Sequence, residues 1–332
     1  KLRGSFGWTK MADLPRDRLE TGPPFTFVGI DTFGPWPIVY RKTRGMQRNH
    51  NRWAILFTCM VSRAVHVELI EELSSPSFIN ALRRFMAIRG PVKQFRSDRG
   101  TNFVGGVKEL ELDAQFIEKG PVANYLKNNR ISWIFNPPHA SHFGGVWERM
   151  IGCCRRILDA LLLQNKHDLT HEVLSTFMLE VCAILNARPL VPVSTDPDKP
   201  EVLSPCQLLT QKNPLDDFDL PSCDQKDAIK NQWKRVQYLA DNFWTRWRSE
   251  YLHLLQTRPK WESPGIHFNK GDIVLLKDSE SPRNHWPMGV IEEAFKSEDE
   301  LVRKVKVRVM RGDTSTSYVR PITQLVKLLE VK

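Results

Sequence analysis

Three acidic residues stand where carboxylate chemistry could be done. Asp31 closes the apolar run Phe25 to Ile30, Asp98 follows the short run Val92 to Ser97, and Glu148 opens a helical pattern after Gly144-Gly145-Val146-Trp147. Their separations are 98 − 31 = 67 and 148 − 98 = 50 residues. A carboxylate at the end of an apolar strand is costly to bury without a partner, and carboxylates brought together raise one another's pKa. A hard divalent cation resolves both problems: Mg²⁺ takes a few carboxylate oxygens and keeps several waters. Two such ions about 4 Å apart can activate an attacking hydroxyl and stabilise the leaving oxygen of a phosphodiester. Taken singly, each residue also fits a blander role. Asp31 and Asp98 could be turn residues, and Glu148 could be a first-turn residue favoured by the helix dipole.

Two groups of cations extend this picture. Glu148, Gly152 and Arg155 fall at i, i+4 and i+7 of one helix, so they share a face. A glycine between carboxylate and guanidinium leaves room for a bulky polyanion, and Arg155 with Arg156 could hold a phosphate. Farther on, Lys304, Lys306 and Arg308 alternate with Val305, Val307 and Val309. As a strand this puts valines on one side and cations on the other, which suits a phosphate backbone or, equally, a lysine-guarded sheet edge.

The elements that must position these residues can be read from periodicity. Phe25 to Asp31, Trp53 to Val61, Ala64 to Leu69, Val92 to Arg96 and Ile131 to Phe135 read as strands, with Phe33 to Pro37 and Arg41 to Arg52 as turn and loop. A helix starts with Ser75 as N-cap and Pro76 at its first position and ends at Gly90-Pro91. Further helical patterns cover about 107–118, 121–129, 146–164 and 170–188. The order predicts an α/β core, a mixed five-stranded sheet with flanking helices, over 23–190.

A polar linker occupies 1–22 and a proline-rich connector 191–224. A long amphipathic helix is predicted over 225–258, with Ile229, Trp233, Val236, Ala240, Phe243, Trp247, Tyr251 and Leu254 as its apolar stripe. Short strands from 266 to 330 predict a small SH3-like β-barrel.

Length and composition bound the rest. The 332 residues carry 48 Lys+Arg against 38 Asp+Glu, a net charge of +10, which suits a polyanionic partner. A hydrophobic share of 41% and ten tryptophans exclude disorder for most of the chain. No apolar run approaches the roughly 18 residues of a membrane span, so no membrane partner is expected. The six cysteines lack a C-x-x-C pair and read as reduced thiols of an intracellular protein. His139/His142 and His167/His171 have ligand-like spacings without nearby cysteines, so no zinc is expected within these residues.

Three blocks together carry a resemblance. Val28-Gly29-Ile30-Asp31-Thr32-Phe33-Gly34-Pro35, Ser97-Asp98-Arg99-Gly100-Thr101-Asn102-Phe103, and Asn136-Pro137-Pro138-His139-Ala140-Ser141-His142-Phe143-Gly144-Gly145-Val146-Trp147-Glu148-Arg149 resemble the integrase core of LTR retrotransposons of the BEL/Pao type. Gly271-Asp272-Ile273-Val274-Leu275 and Tyr318-Val319-Arg320-Pro321-Ile322 look like the β-module that follows such cores. The resemblance implies an RNase H-like fold and a D,D,E metal triad at Asp31, Asp98 and Glu148, holding two Mg²⁺ (or Mn²⁺) ions. It implies 3′-end processing and strand transfer of element DNA into chromosomal DNA, by a homo-oligomer in the nucleus, with a chromatin factor as a further partner. Asn102 and His139 match motif positions beside the triad and are expected to touch DNA or metal-bound water. Integrases of this kind carry an N-terminal His/Cys zinc module; none lies in these residues, and the expectation is that the chain, starting at Lys1, begins after it. Two alternatives stay open: a non-catalytic DNA- or chromatin-binding protein derived from an integrase, and a plain nuclease of the same fold.

Overall fold

A computed structural model describes residues 16–39, 50–97, 117, 120–136, 148–165, 169–193, 202–212, 231–255, 268–278, 281–298, 301–311 and 314–329. The first sheet comprises β1 (Phe27–Ile38), β2 (His50–Cys59), β3 (Val65–Ile70), β4 (Gln94–Ser97) and β5 (Ser132–Phe135), in the order β3-β2-β1-β4-β5. β1, β2 and β3 pair antiparallel, while β1–β4 and β4–β5 pair parallel. This is the mixed, RNase H-like arrangement expected from the element order.

Alternation along the strands divides the core in two. Val28, Ile30, Ile55 and Phe57 face α1 (Ser75–Arg89) and α2 (Pro121–Asn128), where Phe57 stacks on Phe85 at 4.0 Å between ring centroids. Phe27, Phe33, Leu56 and Val67 face the other way, against α3 (Glu148–Gln164) and α4 (His171–Asn186). Asp31 shares the second face, because it lies two and four residues from Gly29 and Phe27.

Several boundaries differ from expectation. β1 does not end at Asp31; it runs on to Ile38 through the segment expected to turn. Phe33, Trp36 and Ile38 bury their side chains there. Among the described residues β4 pairs with β1 as far as Ile30↔Ser97, and the prolines fall where the β1–β2 register shifts between Phe33 and Trp36, an irregularity of the kind that admits proline. Gly34 is required here: its φ is +115°, and a Cβ would lie 3.0 Å from the Arg52 carbonyl oxygen. The cap of α1 is Ser74, one residue earlier than expected, its side chain accepting from the Ser77 N–H. The expected helical stretch at 107–118 lies outside the described residues apart from Ile117.

The connector is less irregular than its prolines suggest. Among the described residues it holds a two-stranded ribbon, β6 (Val191–Pro192) with β7 (Val202–Leu203), and a short helix α5 (Pro205–Thr210) closed by a Ser204/Gln207 capping box.

The long helix α6 (Gln232–Leu255) is buried on two sides rather than along one stripe. Val236, Ala240, Phe243 and Trp247 are buried as expected, but so are Gln237, Trp244, Arg248 and Leu252. Trp233 is the exception, 60% exposed, with the Lys234 ammonium over its ring. One side of α6 meets α3 and α4, and another meets the segment before the second strand of the C-terminal sheet. There Trp244 packs edge-on against Trp286, Trp244 Nε1 and Arg248 Nη1 both donate to the Ser281 carbonyl, and Arg283 reaches Gln237, Asp241 and Glu180 of α4.

The C-terminal unit is a five-stranded antiparallel sheet of β8 (Ile273–Leu276), β9 (Met288–Lys296), β10 (Val302–Arg311), β11 (Thr314–Pro321) and β12 (Leu325–Leu329), in the order β11-β10-β9-β8-β12. A 3₁₀ turn over Ile322–Gln324 precedes β12, a strand the sequence pattern did not separate. Val274, Ile291, Val305 and Val307 form its interior. Gly289 lets β9 and β10 close up, since a Cβ there would stand 2.7 Å from the Arg308 carbonyl oxygen. Among the described residues no helix is long and apolar enough to cross a membrane.

Candidate active site

Asp31 lies on the central strand, on the α3 side of the sheet. Its side chain is 32% exposed; Oδ1 accepts from the Thr32 N–H at 3.0 Å and Oδ2 lies 3.4 Å from Arg155 Nη1. Arg155 also sits over the Phe33 ring at 5.6 Å, and one turn on, Trp36 Nε1 donates to Asp159 Oδ1 at 3.0 Å. These contacts lay α3 along β1, which its buried face of Ile151, Cys154, Leu158 and Leu161 also requires. An ion pair this exposed contributes only about 0–1 kcal/mol; its consequence is placement, a guanidinium held beside a carboxylate that water can still reach.

The first helical residue of α3 is Glu148, seven positions before Arg155 and on the same face. The last described residue of β4 is Ser97, paired with Ile30 of β1 and with Phe135 of β5; Asp98 is the next residue in sequence. Asp98, Asn102, His139 and the Glu148 side chain lie outside the described residues. The structure thus places Asp31 and Arg155 together and brings the chain to the doorsteps of Asp98 and Glu148.

Two cation expectations are refined. Arg155 and Arg156 part company: Arg156 is 71% exposed and faces α6, 3.4 Å from Glu250. Among the described residues a Cβ at Gly152 would meet nothing within 4 Å, so it would fit there without a clash. Gly152→Ala is therefore expected to stabilise the protein by about 0.5–1 kcal/mol through helix propensity, measured by urea denaturation.

Lys304, Lys306 and Arg308 lie on β10, which is bonded to β9 on one side and β11 on the other. They do not guard a sheet edge. Their alternate valines are buried, as the spacing required. Lys306 and Arg308 share Glu292 of β9, at 3.3 and 3.7 Å, and Lys304 lies over the Phe295 ring. A hydrogen bond from Ser317 and the neighbouring Lys306, against some burial, hold the Glu292 carboxyl below its ordinary range. The strip borders a cleft of about 910 Å³, also lined by Lys270 and Lys296.

Cys153, Cys154 and Cys182 are buried thiols held in the protonated form. Burial, with Glu250 nearby, pushes the Cys153 thiol to about 11, and burial lifts Cys182 to about 12. Among the described residues no group of three or more His, Cys, Asp and Glu stands ready to hold a metal.

Sequence reasoning missed Arg96. It is a charged residue inside a strand paired on both sides, opposite Gly29 and Ile134, and so on the Asp31 face. The alternation Gln94-Phe95-Arg96 was the available signal.

Residues 231–328, the long helix and barrel, match the profile of a family of unknown function, DUF5641. No curated protein matches. Among solved structures, the chain is similar to one in the simian T-cell lymphotropic virus intasome in complex with the PP2A regulatory subunit B56 gamma. That match has 13% identity and a TM-score of 0.37, over 98% of this chain and 86% of that one. It is also similar to the HTLV-2 integrase catalytic core domain in complex with magnesium (trimeric form), at 15% identity and a TM-score of 0.28, over 43% of this chain and 74% of that one. The catalytic core domain of BIV integrase matches at 15% identity and a TM-score of 0.28, over 41% of this chain and 70% of that one. These likenesses are weak, and the fold described above rests on the strand order itself.

Proposed function

We propose that this chain is an integrase-type polynucleotidyl transferase that processes 3′ ends of retroelement DNA and joins them to chromosomal DNA. The observation that carries the reading is the placement of Asp31 on the central strand, beside Arg155 of the helix that begins at Glu148, with β4 running parallel to β1 up to the residue before Asp98. The finer assignment, to an LTR retrotransposon of the BEL/Pao type, is supported by the three sequence blocks. On this reading the protein works in the nucleus as a homo-oligomer, with a chromatin factor as a further partner.

The donor chemistry fits a hard divalent cation. Asp31 offers an accessible carboxylate oxygen, and Asp98 and Glu148 are the other two hard-oxygen ligands that would hold Mg²⁺ or Mn²⁺. Such an ion supplies Lewis acidity and a more reactive hydroxyl. The chain's own part is to bind and orient. Arg155, already aimed at Asp31, takes a non-bridging phosphate oxygen; Asn102 and His139 contact the DNA beside it; Arg156 and the strip Lys304, Lys306 and Arg308 bear on the backbone farther away.

A labelled 3′-recessed duplex incubated with plasmid and Mg²⁺ tests this. The proposal expects joined product; cleavage without joining would indicate a plain nuclease, and binding without either a retired, non-catalytic descendant. Changing Lys304, Lys306 and Arg308 together to Ala should weaken binding on every duplex sequence and flatten its salt dependence by up to about three phosphate contacts. Unchanged affinity across a salt series would remove the strip from the DNA path.

A further inference from the structure

A buried polar chain runs beside the site from a segment outside the sheet. Asp17, in a 3₁₀ turn over Arg16–Arg18, is only 6% exposed, and its Oδ2 accepts from Arg96 Nε at 2.9 Å, from Arg96 Nη2, and from Gln94 Nε2 at 3.1 Å. The third guanidinium nitrogen, Nη1, donates to Asn136 Oδ1 at 3.3 Å. Asn136 is 2% exposed and donates its own backbone N–H to the Ser97 carbonyl at 2.8 Å. Ser97 is 1% exposed, and its hydroxyl accepts from Trp133 Nε1 at 3.1 Å. The end of β4 is thus gripped on its main chain and on its side chain.

Stability alone is a poor reason for this arrangement. A buried ion pair spends much of its attraction on desolvation, and an apolar pair of similar volume often does as well. A guanidinium held through Nε and Nη2 on one carboxylate oxygen does something an apolar pair does not: it fixes direction. Here the fixed object is the end of β4, the residues just before Asp98, and Arg96 itself lies on the Asp31 face of the sheet.

We infer that Arg96, held by Asp17 and Asn136, is a positioning residue that sets the end of β4 so that the carboxylates following and facing it share one metal. The inference rests on the function proposed above. It makes the segment around Asp17 a working part of the core rather than the linker its composition suggested.

Arg96→Met keeps length and bulk without charge; Asp17→Asn keeps shape and removes only the charge, in case the first variant does not fold. Mg²⁺ binding to the DNA-free protein by calorimetry and amide hydrogen exchange of the 94–97 and 133–136 peptides are the readouts beside end joining. A folded variant should exchange faster in those peptides and bind Mg²⁺ about 10-fold or more weakly, the usual cost of removing a partner behind a ligand, with joining recovered in part at saturating Mn²⁺. Unaltered exchange and Mg²⁺ affinity in the folded variants would overturn the inference while leaving the joining activity of the parent intact. A parent protein that neither binds Mg²⁺ nor joins ends would instead remove the functional reading; faster exchange in the variants would then show only that the network orders β4, and the metal role would fall with it.

Discussion

Asp31→Asn, Asp98→Asn and Glu148→Gln should each drop Mg²⁺-dependent end joining by at least about 1,000-fold, because metal-borne charge stabilisation is worth several kcal/mol at the transition state. Duplex binding should largely persist, since the phosphate contacts come from other residues. The geometry makes Asp31 the sharpest of the three. Its neighbour Arg155 will outlast the substitution, so the neutral amide removes a ligand without stranding a buried cation: the arginine side chain is 37% exposed. Gel assays of joined product beside filter-binding isotherms decide the matter. Full joining by the Asp98 and Glu148 variants would remove the metal triad from these positions.

The second large effect concerns the joint between the sheet and the β-module. Trp247 is fully buried, stacked between Phe243 and Tyr251, in a cluster that runs without a break from Phe27 of β1 to Val326 of β12. Trp247→Ala should cost about 3–5 kcal/mol, and because the cluster is shared, urea denaturation should show one transition moving as a whole. Trp247→Phe should cost far less. The indole N–H is buried without a hydrogen-bond partner, and that penalty leaves with it. Two separated transitions, with only the barrel affected, would show that the cluster does not couple the units.

Much of the fold was legible because its elements keep simple periods. The succession of the five core strands along the chain, the helical patterns of α1, α3 and α4, and the valine–cation alternation of β10 all follow from spacing. What was hidden has common causes. Gly34-Pro35 reads as a turn unless one knows that the β1–β2 register shifts between Phe33 and Trp36, a strand irregularity that admits proline. Leu325–Leu329 has too little alternation to announce a strand, and becomes one by pairing with β8. A single apolar stripe on α6 could not reveal that a second side would be covered by Trp286 and Arg283.

At the site, Asp31 was singled out by a strand-end context that the structure replaces with mid-strand placement, and its partner was not foreseen. Arg155 was placed with Glu148 by helical spacing, and only folding brings it to Asp31, 124 positions away. The contact between Asp17 and Arg96 spans 79 residues and has no local pattern at all. Long-range ion pairs of this kind are decided by packing, not by periodicity.

The clasp of Arg283 on α4 and α6 carries a mechanical consequence. Among the described residues, Trp286 wedged against Trp244 and Tyr251 joins the C-terminal sheet to α6 through packed side chains. A pull on the C-terminal sheet is therefore expected to reach α4 and α6 through these side chains, so that the unit follows the core as a lever arm.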